Sequence, residues 1–257
     1  MWATLEVNEL TKYFGGLAAV NGLDFTVGRG EMVGLIGPNG AGKTTVFNLI
    51  TGFLPPTKGK IVFKGKEVTH KKPHAIARTG IVRTFQTTTL FPGFSVLNNI
   101  IAGCYLKSQA GFWGAVLHSA SSRRKEQDVL ARAMKILHFV GLSAVKDQPA
   151  RRLPHGHRRI LGIAVAMAAD PQLLLLDEPL SGMNADEVGR AVSLITRIRE
   201  EGTTILLIEH NMRAAMNLCQ RIIVLEMGRK IAEGRPEEVR ANEEVIKAYL
   251  GTGKHAA

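Results

Sequence analysis

Residues 37–44, Gly37-Pro38-Asn39-Gly40-Ala41-Gly42-Lys43-Thr44, fit the pattern G-x-x-x-x-G-K-[ST]. Glycines at these places let backbone N–H groups curl round an anion without Cβ clashes, and a helix opening at Lys43 points its positive dipole end at the same anion. The chemistry this predicts is nucleotide binding, with the Lys43 ammonium on the β- and γ-phosphates and the Thr44 hydroxyl on a magnesium ion. A second group lies far along the chain, where an apolar run from Leu173 to Leu176 ends in Asp177-Glu178. Two carboxylates at the carboxyl end of a buried strand fall at the edge of a sheet beside such a loop. Asp177 is expected to hold Mg2+ through water, and Glu178 to act as general base on the attacking water. Paired carboxylates after a strand also suit a helix N-terminus, but the phosphate loop favours the catalytic assignment.

These groups need a scaffold, and the hydrophobic pattern supplies one. Residues 31–37 form a short apolar run ending in glycine, as a buried strand feeding a turn does, and Val46, Leu49 and Ile50 then recur at helical spacing. Residues 5–10 and 23–27 alternate apolar with polar, the period of half-buried strands, and a strand resumes at 60–64 after the break at 52–57. Residues 172–176 and 203–208 are further buried strands. Between them Val188, Val192, Ile195 and Ile198 make one helix face ending at Gly202. From about 88 to 165 the periodicity is helical, at 96–101 and 129–140, and residues 103–125 are expected to be irregular and exposed. The fold class is therefore α/β, a mostly parallel sheet with an inserted helical subdomain.

Composition narrows the class. With 257 residues, 45% hydrophobic, Gly 27 and Pro 10, the chain is neither disordered nor collagen-like and buries a full core. Cys104 and Cys219 lie far apart without metal-type spacing, which argues against a disulfide framework or a zinc site and fits a reducing compartment. The first ten residues lack a signal-peptide pattern, and the longest apolar runs fall short of the roughly 18 residues of a spanning helix, so an intracellular protein is expected. The formal charge of +11 fits a solvated basic face, and leaves open a surface for nucleic acid or anionic lipid.

Together these motifs resemble the nucleotide-binding subunits of ABC transporters, and the resemblance covers residues 5–251. It implies a P-loop NTPase core with an N-terminal antiparallel β subdomain, divided as 1–87 and 166–235 for the core, 88–165 for the helical subdomain and 236–257 for a C-terminal helix and tail. It implies ATP and Mg2+ as cofactors, bound by Asn39, Gly40, Ala41, Gly42, Lys43, Thr44 and Thr45. Gln86 in Arg83-Thr84-Phe85-Gln86 resembles the Q-loop glutamine that senses Mg2+ and water, and His210 in Ile208-Glu209-His210 the switch histidine at the γ-phosphate. Phe14 stands where the family places an aromatic ring on adenine, although a core aromatic stays open.

The family's L-S-G-G-Q signature, which caps the partner's ATP, reads Leu153-Pro154-His155-Gly156-His157, so only Leu153 and Gly156 match. Asn184 likewise replaces the Asp that normally ends the D-loop. Segments 15–20, 46–49, 51–53, 82–86 and 247–251 are similar to the branched-chain amino acid importer type. The resemblance implies a second ABC ATPase subunit, identical or a paralogue, two integral membrane permease subunits and, indirectly, a solute-binding protein. No nucleic acid partner is expected. It places the protein peripherally on the cytoplasmic face of the inner membrane, with residues 87–94, including Phe91 and Phe94, lining the permease groove. An ATPase of a lipid or lipopolysaccharide exporter, or a weakly hydrolysing regulatory subunit, remains the alternative.

Overall fold

The computed structural model describes residues 3–84, 90–105 and 120–250. The chain opens with a long antiparallel hairpin, β1 (Ala3–Phe14) and β2 (Leu17–Gly28), in which Phe14 faces Leu17 and Lys12 faces Val20. Strands β4 (Lys58–Phe63) and β5 (Lys66–Glu67) extend it to a four-stranded sheet of order β2-β1-β4-β5. Leu5 and Val7 of β1 point inward with Phe25 and Val27 of β2, as alternation anticipates, whereas Leu10 is out of phase and is brought inward by the register shift between Val7 and Leu10, where Glu9 takes φ +48°.

The second sheet joins β3 (Met32–Ile36), β6 (Ile81–Arg83), β7 (Leu173–Asp177), β8 (Thr204–Ile208), β9 (Arg221–Glu226) and β10 (Arg229–Gly234) in the order β10-β9-β3-β8-β7-β6. Every pairing is parallel except that of β10 with β9. Its central strands are buried on both faces. Met32, Ile36, Leu174, Leu176, Ile205 and Leu207 enter one core, while Val33, Leu35, Leu173, Leu175, Leu206 and Ile208 enter the other. Double-sided burial is why these strands read as continuous apolar runs. The second core also takes Val46, Phe47, Leu49 and Ile50 of helix α1 (Lys43–Ile50), which is thereby clamped between the two sheets.

The opposite core belongs to the helical layer. Helix α2 (Pro73–Thr79), whose Ile76 belongs to the second core, precedes β6; α3 (Val96–Tyr105), α4 (Ala120–Phe139) and α5 (His155–Ala168) follow it, with two short 3-10 turns between the last two. Helix α5 carries the chain back to the sheet, its Leu161, Ile163 and Ala164 packing in the same core as Val96 and Ile100 of α3. Of the residues expected to be irregular, 103–105 belong to α3 and 120–125 to α4. Gly103 is buried because α3 and α5 touch there, a Cβ at 103 falling 2.6 Å from the Val165 carbonyl oxygen and 2.9 Å from Ala168 Cβ. Residues 106–119 lie outside the described residues.

Helix α6 (Ala185–Glu200) starts with Asn184 at the N-cap. Its side chain accepts the Glu187 N–H, and the Glu187 carboxylate accepts the Asn184 N–H in return. Asn and Asp cap helices about equally well, so the departure from Asp at 184 keeps the turn's geometry. Helices α7 (Met212–Leu218), α8 (Pro236–Ala241) and α9 (Glu243–Leu250) complete the chain.

Candidate functional site

Between β3 and α1 the chain makes the loop on which the site is built. Gly37 has φ +149° and Gly42 φ +101°; a Cβ would fall 2.1 Å from the Leu225 carbonyl oxygen at the first and 2.4 Å from the Ala19 carbonyl oxygen at the second. Only glycine fits either place. The loop is braced from outside by Gly228, whose N–H bonds the Ala41 carbonyl and whose own carbonyl accepts the Asn21 N–H. Helix α1 starts without a side-chain cap and without an acidic residue in its first turn. Its leading N–H groups and dipole are thus left for an anion.

A cavity of about 280 Å³ opens over this loop, lined by Ala19, Asn39, Gly40, Ala41, Gly42, Lys43, Thr44, Thr45, Glu178 and His210. Its entire floor is the 39–45 segment, and its wall brings together residues separated by more than a hundred positions in sequence. Lys43 is 5% exposed and its ammonium donates to the carbonyl oxygens of Gly37 at 2.7 Å and Pro38 at 2.9 Å. Burial lowers its pKa by stripping water from the charge, and the carboxylates of Glu178 and Asp177 offset this only in part.

Strand β7 delivers the two carboxylates to different places. Asp177 is 4% exposed; its Oδ2 accepts from Arg83 at 2.6 Å, and its N–H donates to Thr84 Oγ1 at 3.2 Å. Its Oδ1 is buried and has no hydrogen-bond partner among the described residues. A magnesium ion or its water would satisfy that orphaned oxygen, a hard donor of the kind that Mg2+ selects, as is the Thr44 hydroxyl of the loop. Glu178 turns the other way because it sits at φ +48°, a strained conformation for a residue with a Cβ. Its N–H still bonds the Ile208 carbonyl at 2.9 Å, and its Oε1 meets His210 Nε2 at the cavity wall.

His210 is placed by a residue that sequence reasoning passed over. Glu209, 3% exposed, accepts the Leu180 N–H at 2.9 Å and also takes backbone N–H bonds from His210 and Asn211. It ties the turn after Glu178 to the loop after β8. Burial raises its pKa, which those N–H bonds only partly counter. The signal was a carboxylate in an otherwise apolar strand end. Ala19 was missed for a different reason: its contribution is steric, and nothing in its side chain announces it.

The remaining candidates lie elsewhere. Phe14 is 48% exposed at the tip of the β1–β2 hairpin, with the Lys12 ammonium 5.3 Å from its ring, and is not part of the cavity lining. Gln86 lies outside the described residues, as do 87–89. Phe91 and Phe94 are exposed and stacked on each other, centroids 4.9 Å apart, on a loop that buried Asn99 holds through hydrogen bonds to Phe91, Phe94 and Ser95. Leu153 is buried, and Gly156 opens α5 against Glu187, whose Oε1 would lie 2.5 Å from a Cβ there. Gly156 and His157 line a separate cleft with α6. The signature segment and the phosphate loop of one chain therefore face different spaces.

A phosphate loop on a parallel sheet, a glutamate and a histidine at its mouth and a helical layer inserted in the sheet define a nucleotide-hydrolysing cassette. Comparison with known proteins agrees. The family model described as ABC transporter matches residues 20–181, and the one described as branched-chain amino acid ATP-binding cassette transporter matches 229–255. The chain is 42% identical over 248 residues to the high-affinity branched-chain amino acid transport ATP-binding protein BraF of Pseudomonas aeruginosa, covering 96% of this chain and 97% of that one. It is equally similar, over the same shares, to the protein LivG of Escherichia coli, which carries the same description. Among solved structures, an ABC transporter ATP-binding cassette in its ADP conformation superposes with a TM-score of 0.85 at 30% identity, covering 98% of this chain and 100% of that one. A nucleotide-free cassette gives 0.83 at 31%, covering 96% and 99%. The chain belongs to the ABC transporter family, as an ATP-binding, ATP-hydrolysing subunit.

Proposed function

We propose that this chain is the ATPase subunit that powers an importer of branched-chain amino acids or a related small polar solute. The observation that carries the reading is the division of the site: the phosphate loop with Glu178 and His210 lines one cavity, whereas Gly156 lines another. One chain holds each half of an ATP site but not the two together. A second cassette, identical or a paralogue, supplies the missing half, so that ATP binding closes a dimer and hydrolysis reopens it.

The assigned roles follow the site's chemistry. Residues 39–45 cradle the phosphates through backbone N–H groups, and Lys43 transfers its ammonium from the Gly37 and Pro38 carbonyls to the outer phosphates. Thr44, Asp177 and Gln86 hold Mg2+, which when bound neutralises charge on the phosphates. Glu178 takes the proton of the attacking water, and His210, already on Glu178 Oε1, orients that carboxylate and reaches the γ-phosphate. Phe14 stacks on the adenine. Leu153 and Gly156 face the partner's nucleotide.

Two permease subunits and a solute-binding protein complete the transporter, with this subunit peripheral on the cytoplasmic face of the inner membrane. No described helix is long and apolar enough to cross a membrane. The exposed Phe91–Phe94 pair, whose loop Asn99 holds by hydrogen bonds, and the largely apolar cleft lined by Phe53, Ile76, Val82 and Val165 offer the permease apolar surface. Affinity purification from membranes, followed by reconstituted uptake of leucine against urea, tests partner and cargo together. Co-purification with permease subunits and ATP-dependent leucine uptake is expected; urea uptake alone would overturn the cargo assignment.

A further inference from the structure

Asp177 is one half of a buried ion pair whose other member has no part in nucleotide binding or hydrolysis. Arg83, at the end of β6, places its guanidinium on Asp177 Oδ2 at 2.6 Å, with the two side chains 6% and 4% exposed. The same guanidinium donates to Asn48 Oδ1 at 2.6 Å and lies 5.4 Å from the centre of the Phe47 ring. Asn48 and Phe47 belong to α1, the helix that begins with Lys43 and Thr44. Arg83 therefore joins three elements at one carboxylate: the end of β6, the end of β7 and the first helix of the phosphate loop.

The two oxygens of Asp177 are unequal as a result. Oδ2 is held by Arg83, while buried Oδ1 has no hydrogen-bond partner among the described residues. A carboxylate buried to this degree needs a cation or a full set of hydrogen bonds, because leaving it unpaired costs much of its lost hydration. Arg83 meets that need through Oδ2. A divalent cation arriving at Oδ1 meets a carboxylate whose charge is already compensated, and feels the guanidinium behind it at close range.

We propose that Arg83 is a positioning residue that serves as the resident counter-cation of Asp177, fixing the carboxylate through Oδ2 and setting how weakly the site takes its metal ion. This rests on the family reading of Asp177 as a metal-holding residue. Metal entry loads Asp177 with a second cation, and the strain falls on Arg83, three residues before Gln86 in the chain. The consequence is a metal site of deliberately moderate affinity, stable before the nucleotide arrives and readily emptied after hydrolysis.

The test is Mn2+ binding, read by electron paramagnetic resonance in the presence of a non-hydrolysable ATP analogue, so that turnover plays no part. Arg83→Met keeps much of the volume and contact with Phe47 but removes the charge. It is expected to bind Mn2+ about 10-fold more tightly than the parent, since a unit charge near the ion has gone. Arg83→Lys, which keeps the charge, is expected to stay within about 3-fold of the parent. Unchanged or weaker Mn2+ binding by Arg83→Met would overturn the proposal. If Arg83→Met fails to fold, Arg83→Met with Asp177→Asn is compared with it by circular dichroism. Recovery of folding in the double variant is the result expected of a charge imbalance, whereas failure of both would assign Arg83 a packing role and overturn the proposal. Failure of nucleotide analogue binding in the parent protein would instead count against the functional reading.

Discussion

Replacing Arg221 by Met tests how the sheet that carries the phosphate loop is held in register. Arg221 opens β9, and its guanidinium donates to Glu31 Oε1 at 2.8 Å, Glu31 Oε2 at 2.9 Å and the Thr26 carbonyl at 2.7 Å, as well as to Glu233 Oε1. Four acceptors from β2, the residue before β3 and β10 thus converge on one side chain. Hydrogen bonds to charged groups contribute about 1.5 to 3 kcal/mol each when buried, but the Arg221 side chain is 23% exposed and water replaces part of what is lost. A net loss of about 2 to 3 kcal/mol is the consistent figure, and in a chain of this size it lowers Tm by roughly 5 to 10 °C. The effect depends on pH in a defined sense. Burial raises the Glu31 pKa, but the Arg221 hydrogen bonds, the Gly28 N–H and the Arg221 charge together bring it below its ordinary value. A depressed carboxylate contributes stability above its unfolded pKa of about 4.3 and loses it as pH falls through the folded value. Melting curves of parent and variant at pH 7 and at pH 3.5 should therefore differ more at pH 7. A variant melting within about 1 °C of the parent at pH 7, or a gap that widens in acid, would show that the Arg221–Glu31 contacts do not hold the sheet.

Gly103→Ala should lower Tm by several degrees, because its Cβ meets the Val165 carbonyl oxygen at 2.6 Å and overpacking of this kind typically costs about 1 to 3 kcal/mol; an unchanged melting curve would show that α3 and α5 yield freely. Cys219 should resist iodoacetamide at pH 8 in the native protein, since burial first and the Glu209 charge second push its thiol up to about 12, leaving a thiolate fraction on the order of 10⁻⁴; mass spectrometry showing it alkylated as fast as in urea would contradict the burial. Pro154 stands at the N-cap of α5 without a side-chain cap. Pro154→Ser with His157→Gln should raise both ATP-dependent dimerisation and turnover of the purified subunit, and no change in either would remove the idea that the altered signature limits it.

The sheet, its phosphate loop and the two carboxylates could be read from the sequence because their signals are local. Glycines at 37 and 42 are demanded by backbone geometry, and Leu173 to Leu176 announce double-sided burial by their continuity. The helical boundary near 103 was not legible, since Gly103 looks like a breaker until α5 is seen to pack against it. Arg83 and Glu209 escaped for a related reason. Arg83 acts on a residue 94 positions away and Glu209 on one 29 positions away, so their roles exist only after β6, β7 and β8 have been laid side by side. Phe14 is a different case: its type and place suggest a nucleotide contact, and in the folded chain its ring stands half-exposed at the hairpin tip, apart from the phosphate cavity, so its role depends on a ligand.

Glu178, at φ +48° on the cavity wall and held against His210, is assigned the chemistry, and residues 39–45 the binding. Glu178→Gln preserves the side chain's shape and removes its basicity. The direct measurement is ATP binding by equilibrium dialysis alongside single-turnover hydrolysis of the same purified variant. ATP affinity is expected to stay within about 3-fold of the parent and hydrolysis to slow about 10²- to 10⁴-fold, the usual cost of losing a general base. Hydrolysis at close to the parental rate would contradict that assignment, because some other group would then be taking the proton from water.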